Sequence, residues 1–148
     1  MTARQALLLP VGDDVYALPV EWVLEVVAAP KVTRLITAPP TVLGLFNLRG
    51  HIVPILDTAA LLGVGTVKST VFAVVVNCPP GPVGLAVTAF PRRGELDAAT
   101  GPSELPGTDG LYEIDHQVVS LLDPAVLLTA ERIGGREFGN DATHIEVG

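Results

Sequence analysis

Residues 44–62 read GLFNLRGHIVPILDTAALL, and residues 110–128 read GLYEIDHQVVSLLDPAVLL. Aligned without a gap, they are identical at eight positions, among them the opening Gly-Leu, one Val, the Leu-Asp pair and the closing Leu-Leu. One structural unit is therefore written twice, and it reads as a hairpin followed by a capped helix. In the first copy, Leu45–Leu48 and Ile52–Leu56 are strands around Arg49-Gly50-His51, where Gly50 supplies the positive φ of a short turn. Asp57 ends the second strand and offers its carboxylate to the free N–H groups of a helix over Thr58–Leu62. Gly63 terminates that helix. In the second copy Asp123 holds the cap position, and Pro124 sits at the first helical position, where no N–H is needed. This helix is expected to run on through Ala130 to about Ile133 and stop at Gly134-Gly135. The copies differ most at the turn: Arg49-Gly50-His51 against Asp115-His116-Gln117.

Outward from the repeat, apolar runs of strand length recur at Ala6–Leu9, Val15–Val20, Val23–Val27, Val71–Val76, Val83–Val87, Leu111–Ile114 and Val118–Leu122. Strands this short and frequent indicate barrels or sandwiches rather than a parallel sheet with long helices. Thirteen prolines and fifteen glycines supply the turns. Val15–Val20 also echoes Val83–Thr88, so each half holds a first hairpin, a loop, a second hairpin and a helix. Residues 91–110 read as a surface loop with a little strand. The stretch 136–148 lacks periodicity and reads as a flexible tail.

A chain of 148 residues suits one domain, here 1–135, or two intimately packed halves. It is long enough to bury roughly 70% of its extended surface. With 49% apolar and 17% charged residues it is not a disordered chain. A net charge of −7 repels phosphate backbones and anionic membranes, so neither is an expected partner. No apolar run approaches the ~20 residues of a bilayer span. The apolar stretch near the start is too short for a signal peptide. A lone Cys78 excludes an intrachain disulfide and a cysteine-based metal site. The expectation is a soluble cytoplasmic protein without a cofactor.

Catalytic constellations are not apparent. The histidines stand at 51, 116 and 144, without the i, i+4 spacing of a helical metal site. Cys78 lies in a Pro-rich turn with no identifiable base to activate it. No Gly-x-Ser-x-Gly elbow or Walker-type loop occurs. Asp57 and Asp123 fit helix caps better than paired catalytic carboxylates. The chain reads as a non-enzyme.

Further blocks carry a resemblance. Tyr16-Ala17-Leu18-Pro19-Val20, Val23-Leu24-Glu25-Val26, Val32-Thr33-Arg34-Leu35, Gly44, Asn47-Leu48-Arg49-Gly50 and Val53-Pro54-Ile55-Leu56-Asp57 resemble the CheW-type coupling domain of bacterial chemotaxis. Val71–Val76, Val83-Gly84-Leu85, Gly110-Leu111 and Leu121-Leu122-Asp123 extend the resemblance over most of residues 5–130. It implies a mainly β fold of two packed SH3-like five-stranded β-barrels with short helices. The first barrel is expected at about 14–66 and the second at about 67–123, with an N-terminal strand and a C-terminal helix packed onto them.

The resemblance also implies a scaffold that binds two partners. One is the cytoplasmic tip of a chemoreceptor, a helical hairpin; the other is the regulatory domain of a CheA histidine kinase, which has the same fold. The residues it points to are Val23, Glu25, Leu43, Gly44, Asn47, Leu48, Arg49 and Gly50, with Arg49 expected to pair with Glu25. For Val23 and Leu43 ordinary core packing is an equal reading, and for Gly44 backbone conformation comes first. Trp22 reads either as an interface anchor or as a barrel cap. The stretch Ala86–Arg93 departs from the family pattern: an Asp is replaced and Pro91 interrupts the strand. Two alternatives stand beside this reading. One is a diverged adaptor of pilus motility or another two-component pathway. The other is a small barrel holding a hydrophobic ligand, which requires a cavity that SH3-size barrels fill with side chains.

Overall fold

In a computed structural model, residues 4–79 and 81–133 are described. In chain order they form β1 (Arg4–Val11), β2 (Asp14–Pro19), β3 (Val23–Ala28), β4 (Val42–Leu48), β5 (His51–Leu56) and α1 (Thr58–Leu62). Then follow β6 (Phe72–Val76), β7 (Val83–Val87), β8 (Arg92–Leu96), β9 (Thr108–Ile114), β10 (Gln117–Leu122), α2 (Pro124–Leu127) and α3 (Ala130–Ile133). The strands make two five-stranded sheets, ordered β8-β1-β2-β10-β9 and β3-β6-β7-β5-β4, each curled into a small barrel. The expected tail at 136–148, His144 and the expected helix stop at Gly134-Gly135 lie outside the described residues.

The division of the barrels is not the expected one. Neither barrel is a continuous segment such as 14–66 or 67–123. The repeat does divide there, into β1–β5 with α1 and β6–β10 with α2. But each barrel takes its first hairpin from one repeat and its last three strands from the other. Barrel A is β1-β2 plus β8-β9-β10; barrel B is β6-β7 plus β3-β4-β5. The crossing is made by short links: a 3-10 turn over Val20–Trp22 between β2 and β3, and residues 88–91 between β7 and β8. In each barrel the second strand of a repeat hairpin pairs in parallel with a strand of the other repeat: β5 with β7, and β10 with β2.

Burial explains why the hairpin strands are apolar without alternation. Ala6, Leu8 and Ala17 point into barrel A with Leu96, Val119 and Leu121. Leu7, Leu9, Tyr16 and Leu18, on the opposite faces of β1 and β2, belong to the larger cluster that includes barrel B. A strand buried on both sides reads as a continuous apolar run. At about 25 cal/mol per Å² of apolar surface, this shared layer is a major stabilising term. Thr88 fastens the same joint: its N–H and hydroxyl donate to the Pro10 carbonyl, and its Oγ1 accepts from Gly12 N–H.

Two local expectations change. The second helix does not run unbroken to Ile133. Leu128, at φ −101° and ψ 34°, ends α2, and Thr129 Oγ1 then accepts from Arg132 N–H at the start of α3. The break lets Leu127, Leu128 and Ile133 all enter the large core. In residues 91–110 the little strand is β8, which pairs antiparallel with β1. Pro91 lies just before it, outside both ladders.

Candidate protein-interaction surface

The two hairpins of the repeat are built alike. Residue numbers in them differ by 66 (44 against 110). Leu45 faces Pro54 and Val42 faces Leu56; in the second copy Leu111 faces Ser120 and Thr108 faces Leu122. Both carry a bulge at the same place, and both close on two residues with positive φ. These are Arg49 (50°) and Gly50 (88°) in the first, Asp115 (51°) and His116 (66°) in the second. Such two-residue turns match the twist of the strands they join and favour Asn, Asp or Gly. His51, expected within the first turn, is already the first residue of β5.

Arg49 is therefore out of character for its backbone position. A non-glycine residue in the left-handed region costs about 1–2 kcal/mol. Its guanidinium is held by two bonds to Glu25, Nη1 to Oε2 at 2.6 Å and Nη2 to Oε1 at 2.9 Å. This bidentate pair ties the tip of the β4–β5 hairpin to β3, the opposite edge of the same sheet. The pairing expected between Arg49 and Glu25 is thus present. Arg49 keeps 68% of its side chain exposed while Glu25 keeps 31%, so the pair positions a cation at the surface. Asn47 Oδ1 accepts from Gly50 N–H at 2.7 Å and braces the turn. Glu25, Asn47, Leu48, Arg49 and Gly50 thus share one tip. Ile52, opposite Asn47 in the ladder, is exposed beside them and escaped sequence analysis.

The remaining expected site residues lie elsewhere. Gly44 is buried and does not contribute a surface, because residues 32–33 cross directly over it. Thr33 and Leu45 exchange backbone bonds of 2.7 and 2.8 Å, and a Cβ on Gly44 would overlap the Thr33 carbonyl. Its role is backbone approach. Leu43, at the neighbouring bulge, lines an open groove of about 420 Å³ with Arg34, Ile36, Pro39, Pro40 and Val42. Ile36 is fully exposed on the rim of that groove. It was missed because Leu35-Ile36, in a short stretch that ends at two prolines, carries no periodicity. Val23 is half-buried against the large core. Trp22, also half-buried there, sits at the crossing between the barrels, where its carbonyl accepts from Asn77 N–H.

Barrel A carries the counterpart of the Arg49 tip with its charges reversed. Glu25 faces Val75, which faces Gly84, which faces Ile55. Arg92 faces Leu8, which faces Ala17, which faces Leu121. Ile55 and Leu121 are repeat equivalents, so Glu25 and Arg92 occupy equivalent rungs. Asp115 replaces Arg49 at the turn, and Arg92 Nη1 meets Asp115 Oδ2 at 3.3 Å. This correspondence depends on the exchange of strands between repeats, so the sequence repeat alone did not reveal it.

The other candidate groups have structural roles. Asp57 is buried, with its Oδ1 accepting from Ala60 N–H and both oxygens accepting from Val67 N–H. Asp123 occupies the cap position of α2, but its side chain makes no capping bond, contrary to expectation. Cys78 is buried, and burial pushes its thiol pKa up, away from nucleophilic thiolate. Burial likewise raises the Tyr16 phenol, with a smaller contribution from Asp14. Among the described residues no group of three or more His, Cys, Asp or Glu is placed to hold a metal. No helix there is long and apolar enough to cross a membrane. The buried side chains gather into two apolar clusters, and the groove beside Leu43 is open to solvent.

Residues 5–132 match the CheW-like domain. The chain belongs to the CheW-like domain family. It is 38% identical over 58 residues to the chemotaxis protein CheW of Helicobacter pylori, covering 39% of this chain and 35% of that protein. It is 34% identical over 73 residues to the chemotaxis protein CheW of Rhizobium meliloti, covering 49% of this chain and 47% of that one. The matched stretch thus spans less than half the length of these relatives. The fold of the scaffolding protein TtCheW from Thermoanaerobacter tengcongensis superposes with a TM-score of 0.72 at 21% identity, over 82% of this chain and 85% of that one. The CheW-like fold of two small packed barrels is therefore that of this chain.

Proposed function

We propose that this chain is a non-catalytic coupling adaptor of chemotaxis signalling in the cytoplasm. It would join the cytoplasmic tip of a chemoreceptor to the regulatory domain of a CheA-type histidine kinase. The observation that carries the reading is Arg49, an exposed cation kept at an unfavourable φ and aimed by two bonds to Glu25. A turn optimised for stability would carry Asn or Gly there. Backbone strain at a surface tip is the mark of a site whose chemistry outweighs its local stability.

The receptor's helical hairpin is read by the Arg49 tip together with exposed Ile52, a charge beside an apolar anchor. The kinase domain packs barrel to barrel against the groove of Leu43 and Ile36, where an exposed apolar side chain rims a concave surface. Titration calorimetry against each partner tests both assignments. Arg49→Glu is expected to weaken receptor binding about tenfold or more, equivalent to roughly 1.4 kcal/mol, with the native fold retained. Ile36→Asp is expected to lower kinase affinity and leave receptor affinity intact. Wild-type affinity of both variants for both partners would remove the assignment.

A further inference from the structure

The strand ladders divide into two kinds. Four join neighbours within one repeat: β1–β2, β4–β5, β6–β7 and β9–β10. Four join one repeat to the other: β1–β8, β2–β10, β3–β6 and β5–β7. No barrel closes within its own repeat. Among the described residues, β3 and β8 have ladders only across the repeat boundary. A single repeat is thus two separate hairpins and an unpaired strand, and the folded chain is a complex between two halves of itself.

One connection holds the halves together, the stretch from Gly63 to Val71. Gly63 and Gly65 have φ of 73° and 145°, and Val64, Gly65, Thr66, Lys68 and Ser69 are exposed. The stretch is pinned at Val67, which is buried and donates to both Asp57 oxygens, and at its start by bonds from Gly63 and Val64 to α1 carbonyls. None of the ladders passes through it.

We propose that the two repeats recognise each other in trans, so that a second copy of this chain can supply the missing half. In the resulting dimer, residues before the connection of one molecule close both barrels with residues after the connection of the other. Every ladder is retained, and of the two cores only Val67, which lies in the connection, is displaced. This is domain exchange in its least costly form, because no contact outside the hinge is lost. In the wild type the short connection holds the halves at a high local concentration, which favours the monomer in dilute solution. Shortening the connection removes that advantage. Deleting Val64–Lys68 takes away roughly 17 Å of reach and leaves assembly with a second copy as the route to both barrels. The inference rests on strand pairing alone and is independent of the receptor and kinase assignments.

The full chain tests it in two ways. The variant lacking Val64–Lys68 is expected to have the circular dichroism of the wild type and twice its mass by light scattering. A folded monomer would overturn the proposal. If that variant fails to fold, a second one decides. A protease site inserted after Gly65 is cut in the folded protein, and the nicked product is expected to keep the monomer mass and native spectrum. When two differently tagged nicked preparations are unfolded together and refolded, the halves are expected to reassort freely between tags. Halves that separate in native buffer, or that fail to rejoin, would refute recognition in trans.

Discussion

The β4–β5–α1 copy and the β9–β10–α2 copy share a backbone and differ in which polar groups find partners. Their ladders have the same register and bulge, and their turns have the same pair of positive φ angles. Asp57 N–H donates to the Thr41 carbonyl, and Asp123 N–H donates to Gly107 in the equivalent way. On this common frame the first copy holds Arg49 by two bonds of 2.6 and 2.9 Å. The second holds Asp115, exposed at 76%, by one bond of 3.3 Å to Arg92. The shared residues of the repeat are those the backbone needs, and the divergent ones set surface charge. Function is therefore to be sought where the frame is constant and the chemistry is not.

The largest effect is expected where the frames differ in clearance. At Gly44 a side chain would collide with the Thr33 backbone, whereas at Gly110 the nearest atoms to a Cβ are at ordinary distances of 3.5–3.8 Å. Gly44→Val is expected to cost more than about 3 kcal/mol in urea unfolding, because backbone rather than a mobile side chain must yield. Gly110→Ala, at φ 92°, carries the conformational penalty alone, about 1–2 kcal/mol. Equal costs at the two positions would mean that residues 32–33 do not bind over β4.

Next in size are the aspartates that end the hairpins. Asp57→Ala strands the N–H groups of Ala60 and Val67 in the interior and is expected to cost about 2–3 kcal/mol. Asp123→Ala is expected to change stability by less than about 0.5 kcal/mol, since its carboxylate caps nothing. The reason is local. Ala60 N–H is free to reach the Asp57 side chain, but its equivalent, Val126 N–H, donates to the backbone carbonyl of Asp123. In the first copy the chain also turns back after Gly63 and brings Val67 N–H to the carboxylate. The second copy continues into α3 instead.

That contrast shows what the sequence could and could not reveal. Identical Leu-Asp pairs marked both strand ends and both helix starts correctly, because those depend on the residue and its nearest neighbours. Whether a carboxylate also finds a donor beyond its own helix depends on a segment ten residues away, at Val67. The same limit hid the exchange of strands. Short apolar runs and turn chemistry locate β1, β2, β6 and β7, but an apolar strand carries no label for its partner. β8 was legible only as a little strand without bounds in the 91–110 loop, because Arg92-Arg93-Gly94-Glu95-Leu96 buries Leu96 alone. Its place is dictated by β1, supplemented by a Gln5–Glu95 side-chain bond of 2.9 Å. At the candidate site, the Glu25–Arg49 pair was legible through family resemblance. The backbone role of Gly44 was legible through its recurrence as Gly110, but the strap of residues 32–33 that enforces it leaves no periodic trace.

The smallest change in stability is expected at the tips, and it separates the two copies most sharply in function. Arg49→Asn removes a largely exposed ion pair, worth no more than about 1 kcal/mol. It also relieves a left-handed Arg by a residue that tolerates this conformation, a gain of similar size. The two terms nearly cancel, so the unfolding free energy is expected to move by less than about 0.5 kcal/mol. Asp115→Asn breaks a weaker pair at a turn already suited to either residue and is expected to move it equally little. Stability therefore cannot distinguish the tips, but receptor binding should: a large loss for Arg49→Asn and none for Asp115→Asn. If both variants bind the receptor tip as the wild type does, Arg49 is merely an awkward turn residue. If both lose binding, the two barrels share the partner, and their reversed charges read its opposite ends.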